Sequence, residues 1–237
     1  MPQPSRQDAT DGAVADIVGW DIVNWSRALR FWATHLDRAR ESASCLELGC
    51  GAKGSLSLWL ALRGNRVVCS DFGGVPDATR RTHERYGISN LVEYADIDAR
   101  GMTFAAEFDV VVFKSMLGGI SQDVQGADAK HIVRNVYQAL RPGGVLLFAE
   151  NLKSTALHAF LRKRFAAGAK GWRYFTRGEL ESTLTQFRSF EATTFGCLGC
   201  FGRSEKQRRI LGRFDERVLD GIVPPTWHYI AAIAARK

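Results

Sequence analysis

The chain has 237 residues, 46% hydrophobic and 24% charged, with a formal charge of +7. Such a composition excludes a disordered chain and leaves room for one large α/β domain or two small ones. The charge is uneven: residues 152–217 hold 14 basic and 6 acidic residues, a net +8, while residues 41–151 hold 11 and 13. The basic character thus belongs to one late segment and speaks of a partner for that segment. The opening MPQPSRQDATDGA is polar and no apolar run approaches about 18 residues, so neither a secretory leader nor a spanning helix is expected, and the expected location is cytoplasmic. The five cysteines, Cys45, Cys50, Cys69, Cys197 and Cys200, are an odd number, which argues against a disulfide framework.

Residues 1–40 read as a polar tail and a helical cap, with Trp25, Leu29, Trp32 and Leu36 at helical spacing between Trp20 and Leu36. Residues 41–237 read as a single domain. "SCLEL" is a strand and "SLSLWLALRG" a helix ending at Gly64. "NRVVCSD" is a strand ending in Asp71, followed by a helix to about Tyr86. "LVEYADID" and "FDVVVFKS" are strands, "DAKHIVRNVYQAL" a helix stopped by "RPGG", and "GVLLFAEN" another strand. This alternation with continuous apolar strands suits a parallel sheet covered on both faces. Beyond it come a basic amphipathic helix, "LKSTALHAFLRKRF", and a capping box at Thr176 and Glu179. Two strands follow, "SFEATTFG" and "WHYIAAIAA", around a basic helical insertion at about 203–225.

Gly49, Gly51 and Gly54 fall where the first strand turns into the first helix. A glycine turn at the carboxyl end of a strand lets a ligand approach the backbone, and the helix start offers free N–H groups. Asp71, at the end of the second strand, can accept both hydroxyls of a ribose. "GCGAKG" matches the dinucleotide fingerprint literally. Glu47 weighs against that ligand, because a carboxylate there suits the ammonium of an amino-acid tail and repels a pyrophosphate. "YADID" sets Asp96 and Ile97 where an adenine is bracketed.

Together "LELGCGAKG", the acidic end of "VVCSD", "YADID", "FDVVVFKS" and "LRPGGVLLFAEN", in this order and spacing, resemble the class I S-adenosylmethionine-dependent methyltransferases. The resemblance implies S-adenosyl-L-methionine as cofactor and an α/β, Rossmann-like seven-stranded sheet of order 3-2-1-4-5-7-6, last strand antiparallel, with helices on both faces. It implies Glu47, Gly49, Cys50 and Gly51 around the methionine moiety, Asp71 on the ribose, and Phe72, Asp96 and Ile97 near the adenine. Trp25 of the cap and Ser115 at the end of the fourth strand complete the cofactor set. "NWSRALRFW", "FKSMLGGI", "FAENL", "GWRYF", "FGRSEKQRR" and "PPTWHYIAAIAARK" are similar to bacterial methyltransferases of surface-polysaccharide and lipo-oligosaccharide clusters. That closer resemblance implies O-methylation of a sugar hydroxyl on a lipid-linked or nucleotide-linked carrier.

"FKSM" stands where methyltransferases acting on base amino groups often carry [DN]PP[YF], which argues against an exocyclic amine as acceptor. A hydroxyl acceptor gains from a general base; the candidates are His158 and Glu150. Lys114 is a candidate for the cofactor carboxylate or an acidic substrate. Trp172, Arg173 and Tyr174 suit a sugar or ring face. Cys197 and Cys200 form a lone CxxC without a second ligand pair, so no metal is expected. Arg162, Lys163, Arg164, Arg203, Lys206, Arg208 and Arg209 suit an acidic carrier or the inner membrane surface. The expected partners are therefore a small-molecule or glycan acceptor and peripheral membrane contact; Trp20, Trp25 and Trp32 suit either closure of the N-terminal helix over the cofactor or the pairing of two copies. Nucleic acid ranks lower, because aromatic residues do not interleave with the arginines. An RNA methyltransferase and a cofactor-binding scaffold without turnover are the alternatives.

Overall fold

The structure, a computed structural model, describes residues 13–36, 42–121, 127–165 and 171–237. The strands are β1 (Ser44–Glu47), β2 (Arg66–Asp71), β3 (Val92–Asp96), β4 (Phe108–Lys114), β5 (Leu140–Asn151), β6 (Ser189–Phe195) and β7 (Ile230–Arg236). They form one sheet of order β3-β2-β1-β4-β5-β7-β6, with β7 antiparallel to both of its neighbours and the other pairings parallel. The Rossmann-like topology expected from the motifs is the one observed.

Alternation along each strand explains why helices cover both faces. In β4, Val110 and Val112 join the core that holds Trp25, Trp32 and Trp59, while Val111 and Phe113 join the one that holds Ile132, Val133 and Val136. Successive side chains point to opposite faces, so an unbroken apolar run needs two covered faces. The helix Ala127–Ala139 backs the second face. On the first lie Leu56–Ala61 and the N-terminal helices; Trp32 packs 6.0 Å from the Trp59 ring and its Nε1 donates to Ile233 O at 3.1 Å. Burying a side chain of that size contributes about 3 kcal/mol.

The cap helix expected between Trp20 and Leu36 is present as Ile22–Ala33, and a further short helix, Val14–Val18, precedes it. Gly19 (φ +80°) and Asp21 (φ +45°) separate the two. Two distant contacts favour the break. Glu205, in the insertion, accepts from the backbone N–H groups of Asp21 (3.0 Å) and Ile22 (2.9 Å), satisfying the start of the second helix. The end of the first helix lies against the glycine turn, where Ser55 N donates to Ile17 O at 2.9 Å. The tail, residues 1–12, lies outside the described residues.

The insertion runs as a helix, Glu205–Phe214, a π-helical turn, Asp215–Leu219, and a last turn, Asp220–Ile222. Buried Asp215 accepts from Leu198 N, Gly199 N and Asn24 Nδ2, and buried Asp21 accepts from the Tyr229 hydroxyl. The Asn24–Asp215 bond ties the insertion to the second N-terminal helix, and the others join these two to the loop after β6 and the start of β7. All five cysteines are free thiols.

Backbone crowding makes Gly19 and Gly54 specific requirements. A Cβ on Gly19 would stand 2.5 Å from Lys53 O, and one on Gly54 (φ +88°) would stand 2.8 Å from Ile17 O. Gly87 (φ +66°) faces open space. Left-handed backbone costs a non-glycine residue about 1–2 kcal/mol. Gly87→Ala is expected to lose only that amount. Gly54→Ala and Gly19→Ala add the overlap and are expected to lower the melting temperature by at least about 5 °C more in a thermal denaturation scan. Equal losses at all three positions would contradict the packing described.

Candidate active site

The carboxylate of Glu47, at the end of β1, is buried and turned inward. Oε1 accepts from Leu56 N at 2.7 Å; Oε2 accepts from Ser57 N at 2.8 Å and from the Ser55 hydroxyl at 3.3 Å. Burial pushes its pKa up, and these bonds act in the opposite sense. Glu47 therefore braces the start of the Leu56–Ala61 helix. The ammonium contact expected for it would have to share oxygens that already accept these donors.

The turn that Glu47 braces is clamped on one side and open on the other. Gly51 N donates to Asp71 Oδ2 at 3.0 Å, Gly51 O accepts from the Thr79 hydroxyl at 2.6 Å, and Cys50 N donates to Ser70 O at 3.0 Å. Gly49 (φ +64°) faces Met116, whose Cγ would lie 3.0 Å from an added Cβ. Gly51 (φ +62°) would meet nothing within 4 Å. Its backbone is thus held in place yet exposed where a side chain would stand, a cradle for a ligand that approaches the main chain.

The rim of the cradle comes from the ends of β2 and β3, where Asp71 and Asp96 are in register. Asp71 Oδ1 accepts from Phe72 N at 3.0 Å, and Asp96 Oδ1 from Gly73 N at 2.8 Å. Each carboxylate oxygen keeps a further lone pair, so Asp71 retains capacity for two hydroxyls. Ile97 is half-buried, and Phe72 is 71% exposed. An exposed ring beside two carboxylates offers a face to a planar base. Asp71, Phe72, Asp96 and Ile97 therefore stand together at the ends of β2 and β3.

At the ends of β4 and β5 the residues are packed. Lys114 donates to Val18 O at 2.5 Å and lies 5.1 Å from the Trp25 ring centroid. Burial lowers its pKa to about 8, against the pull of Glu47 and Asp21. It closes the C-terminus of the first helix. Trp25 is fully buried beneath it. Ser115 adopts left-handed backbone (φ +49°), and its hydroxyl accepts from Asn151 Nδ2 at 2.9 Å. Such strain is held only where the surroundings enforce it. Glu150 is buried; its Oε1 accepts from Met116 N and Leu117 N, both at 2.7 Å, and its Oε2 makes no hydrogen bond. Burial raises its pKa to about 7 despite those donors.

His158 is packed elsewhere. Its Nε2 contacts Cys197 O at 3.0 Å, and its ring centroid lies 4.6 Å from Phe201 and 5.7 Å from Tyr229. Burial, helped by the Arg162 charge, lowers its pKa to about 4, so the ring is neutral at pH 7. Trp172 lies on the Gly118–Gly119 backbone, and Arg173 pairs with Glu179 at 3.1 Å. The Tyr174 ring lies 4.3 Å from the Arg162 guanidinium. Arg162 is buried and donates to Leu152 O, so it is not part of the basic surface expected for it. Arg208 is half-buried, over the Trp20 ring. The side chains of Lys163 and Arg164 lie outside those described.

Ser55, Ser57, Thr79 and Asn151 support this site but were not singled out from the sequence. Ser55 carried a readable signal, a serine directly before the apolar run "LSLWLA". Thr79 and Asn151 carried none, because their partners are chosen by tertiary packing.

Residues 46–148 match the family described as "Methyltransferase domain". A ubiquinone biosynthesis O-methyltransferase of Pseudomonas savastanoi pv. phaseolicola is 35% identical over 107 residues, 44% of this chain and 42% of that relative. The match thus spans less than half of the relative's length. The phosphoethanolamine N-methyltransferase 2 of Haemonchus contortus, solved with S-adenosyl-L-methionine, has a TM-score of 0.63 at 18% identity, covering 90% of this chain and 52% of that one. The N-methyltransferase NodS of Bradyrhizobium japonicum has a TM-score of 0.54 at 20% identity, covering 90% and 93%. The two structures show the fold; their names, with that of the relative, span O- and N-methylation, so fold alone leaves the acceptor open. The relative is named for ubiquinone biosynthesis where the motifs pointed to surface-polysaccharide clusters, and that narrower expectation gains no support from it. Residues 46–148 thus match a methyltransferase domain, and the glycine cradle, Asp71 and Asp96 all lie within the matched stretch.

Proposed function

We propose that this protein methylates a hydroxyl group of a small acceptor. The Gly51 cradle carries the assignment: its backbone is held by Asp71 and Thr79 and open where a ligand would sit. When bound there, S-adenosylmethionine supplies a methyl group on a positively charged sulfur, already activated for displacement. The chain then has to align an acceptor and receive a proton. Asp71 accepts ribose hydroxyls, Phe72 and Ile97 flank the base, and Gly51 makes room for the amino-acid tail, while Gly49 makes room for Met116. Glu47 and Lys114 position the turn and the cap against it rather than hold the ligand.

Glu150 is the group that takes the acceptor proton. One of its oxygens is fixed by two backbone N–H groups, the other is buried without a hydrogen-bond partner, and its pKa of about 7 suits a base at neutral pH. His158 is too weak a base, and its Nε2 is already engaged. The O-methyltransferase name of the relative supports a hydroxyl acceptor.

Formation of S-adenosylhomocysteine with phenolic and sugar acceptors tests the reading. Because Glu150 acts ionised, the rate is expected to rise with pH through about 7 and then level off. Glu150→Gln is expected to lower kcat roughly 100-fold or more and to remove that rise, leaving the KM for the cofactor unchanged. An unaltered pH profile would exclude Glu150 as the base, and turnover of amines alone would exclude the hydroxyl reading.

The surface of the insertion supports an acceptor drawn from an anionic lipid surface. Ile210, Phe214, Val218 and Ile222 recur every fourth residue and are exposed. Lys206, Arg209, Arg213 and Arg217 run beside them, also exposed. Apolar and basic stripes side by side suit the plane of an anionic membrane, where each basic residue contributes about 1 kcal/mol. Among the described residues no helix is long and apolar enough to cross a membrane. The protein is expected to sediment with phosphatidylglycerol vesicles and not with phosphatidylcholine ones. Replacing Arg209, Arg213 and Arg217 by Glu is expected to release it; no binding to the anionic vesicles would overturn this element.

A further inference from the structure

We propose that Cys197, Asp220 and His228 form a binding site for a zinc-class metal ion that clips the insertion to the edge of the sheet. The sequence offers only the lone CxxC, and the fold divides that pair. Cys200 Sγ lies 3.5 Å from His158 Nε2. Cys197 Sγ instead lies 3.9 Å from Asp220 Oδ1, and His228 Nε2 lies 3.5 Å from the same oxygen. The three donor atoms lie within 4.8 Å of one another. Tetrahedral zinc with bonds of 2.0–2.3 Å separates its ligand atoms by roughly 3.3–3.7 Å. The residues stand close to that arrangement.

An independent observation comes from the histidine. His228 Nε2 is buried and makes no hydrogen bond, and the side chain is only 5% exposed. Its other ring nitrogen, Nδ1, contacts the Thr194 hydroxyl at 2.8 Å. A hydrogen bond from Nδ1–H fixes the ring and leaves the Nε2 lone pair aimed at the thiol and the carboxylate, the arrangement found around metal-ligating histidines. Asp220 is oriented likewise: Arg27 pairs with Oδ2, and Oδ1 accepts from Gly196 N at 3.2 Å and keeps a further lone pair towards the site. Thiolate and carboxylate together balance a dication. A sulfur, nitrogen and oxygen donor set selects zinc over magnesium or calcium.

The ligands come from three places, the end of β6, the turn after the π-helical segment and the residue pair before β7. One ion would join all three, and three protein ligands leave a fourth tetrahedral position for water. The site is independent of the methyl-transfer reading.

The test uses the full chain, stripped with a chelator and titrated with Zn²⁺ and with Co²⁺. The expected result is one equivalent bound, a near-ultraviolet thiolate-to-cobalt absorption, and a higher melting temperature with zinc. Cys197→Ser is expected to abolish the thiolate band and His228→Gln to weaken binding at least tenfold, while Cys200→Ser leaves both unchanged. No thiolate band in the unaltered protein would overturn the proposal, as would binding that survives both Cys197→Ser and His228→Gln.

Discussion

Glu47 sets where this chain turns. A carboxylate removed from water costs several kcal/mol unless its oxygens find donors, and here the donors are the first N–H groups of the Leu56–Ala61 helix and the hydroxyls of Ser55 and Ser57. The bonds fix the start of that helix relative to the end of β1. The glycine segment must bridge the two, and it does so in left-handed backbone at Gly49, Gly51 and Gly54. One side of the bridge receives the end of the first N-terminal helix, and the opposite side stays open at Gly51. The constraint that stabilises the turn is also what leaves its backbone accessible.

A division of labour follows across the sheet. The ends of β1, β2 and β3 are clamped from within and open outward, as a site that binds one ligand through the main chain requires. The ends of β4 and β5 are covered, by Trp172 on Gly118–Gly119 and by the cap held through Lys114. There burial brings Glu150 and Lys114 nearer to neutrality, to about 7 and about 8. A dry region with one titratable carboxyl suits proton transfer and excludes water.

The strands and their order were legible because apolar runs, terminal carboxylates and glycines follow local rules and a known order of motifs. The residues of the rim were legible too: Asp71 and Asp96 end their strands, and Phe72 and Ile97 come next. What escaped was direction. Glu47 and Lys114 were found by position, but the donors and acceptors that claim them come from residues distant in space until the fold closes. The helix Val14–Val18 was hidden because five residues carry too little periodic signal, and Glu205, which caps the helix after it, lies 184 residues away from Asp21. Cys197 reads as half of a CxxC, while its neighbours in space, Asp220 and His228, share no spacing with it.

Titration calorimetry of S-adenosylhomocysteine into the unaltered protein and into Gly51→Ala tests the central claim most directly. An added methyl at Gly51 meets no protein atom within 4 Å, so the variant is expected to stay folded, losing about 1–2 kcal/mol. The account predicts binding to the unaltered protein, none of NADH, and at least tenfold weaker binding to the variant. Undiminished binding to folded Gly51→Ala, or binding of NADH in place of the sulfur nucleotide, would contradict it.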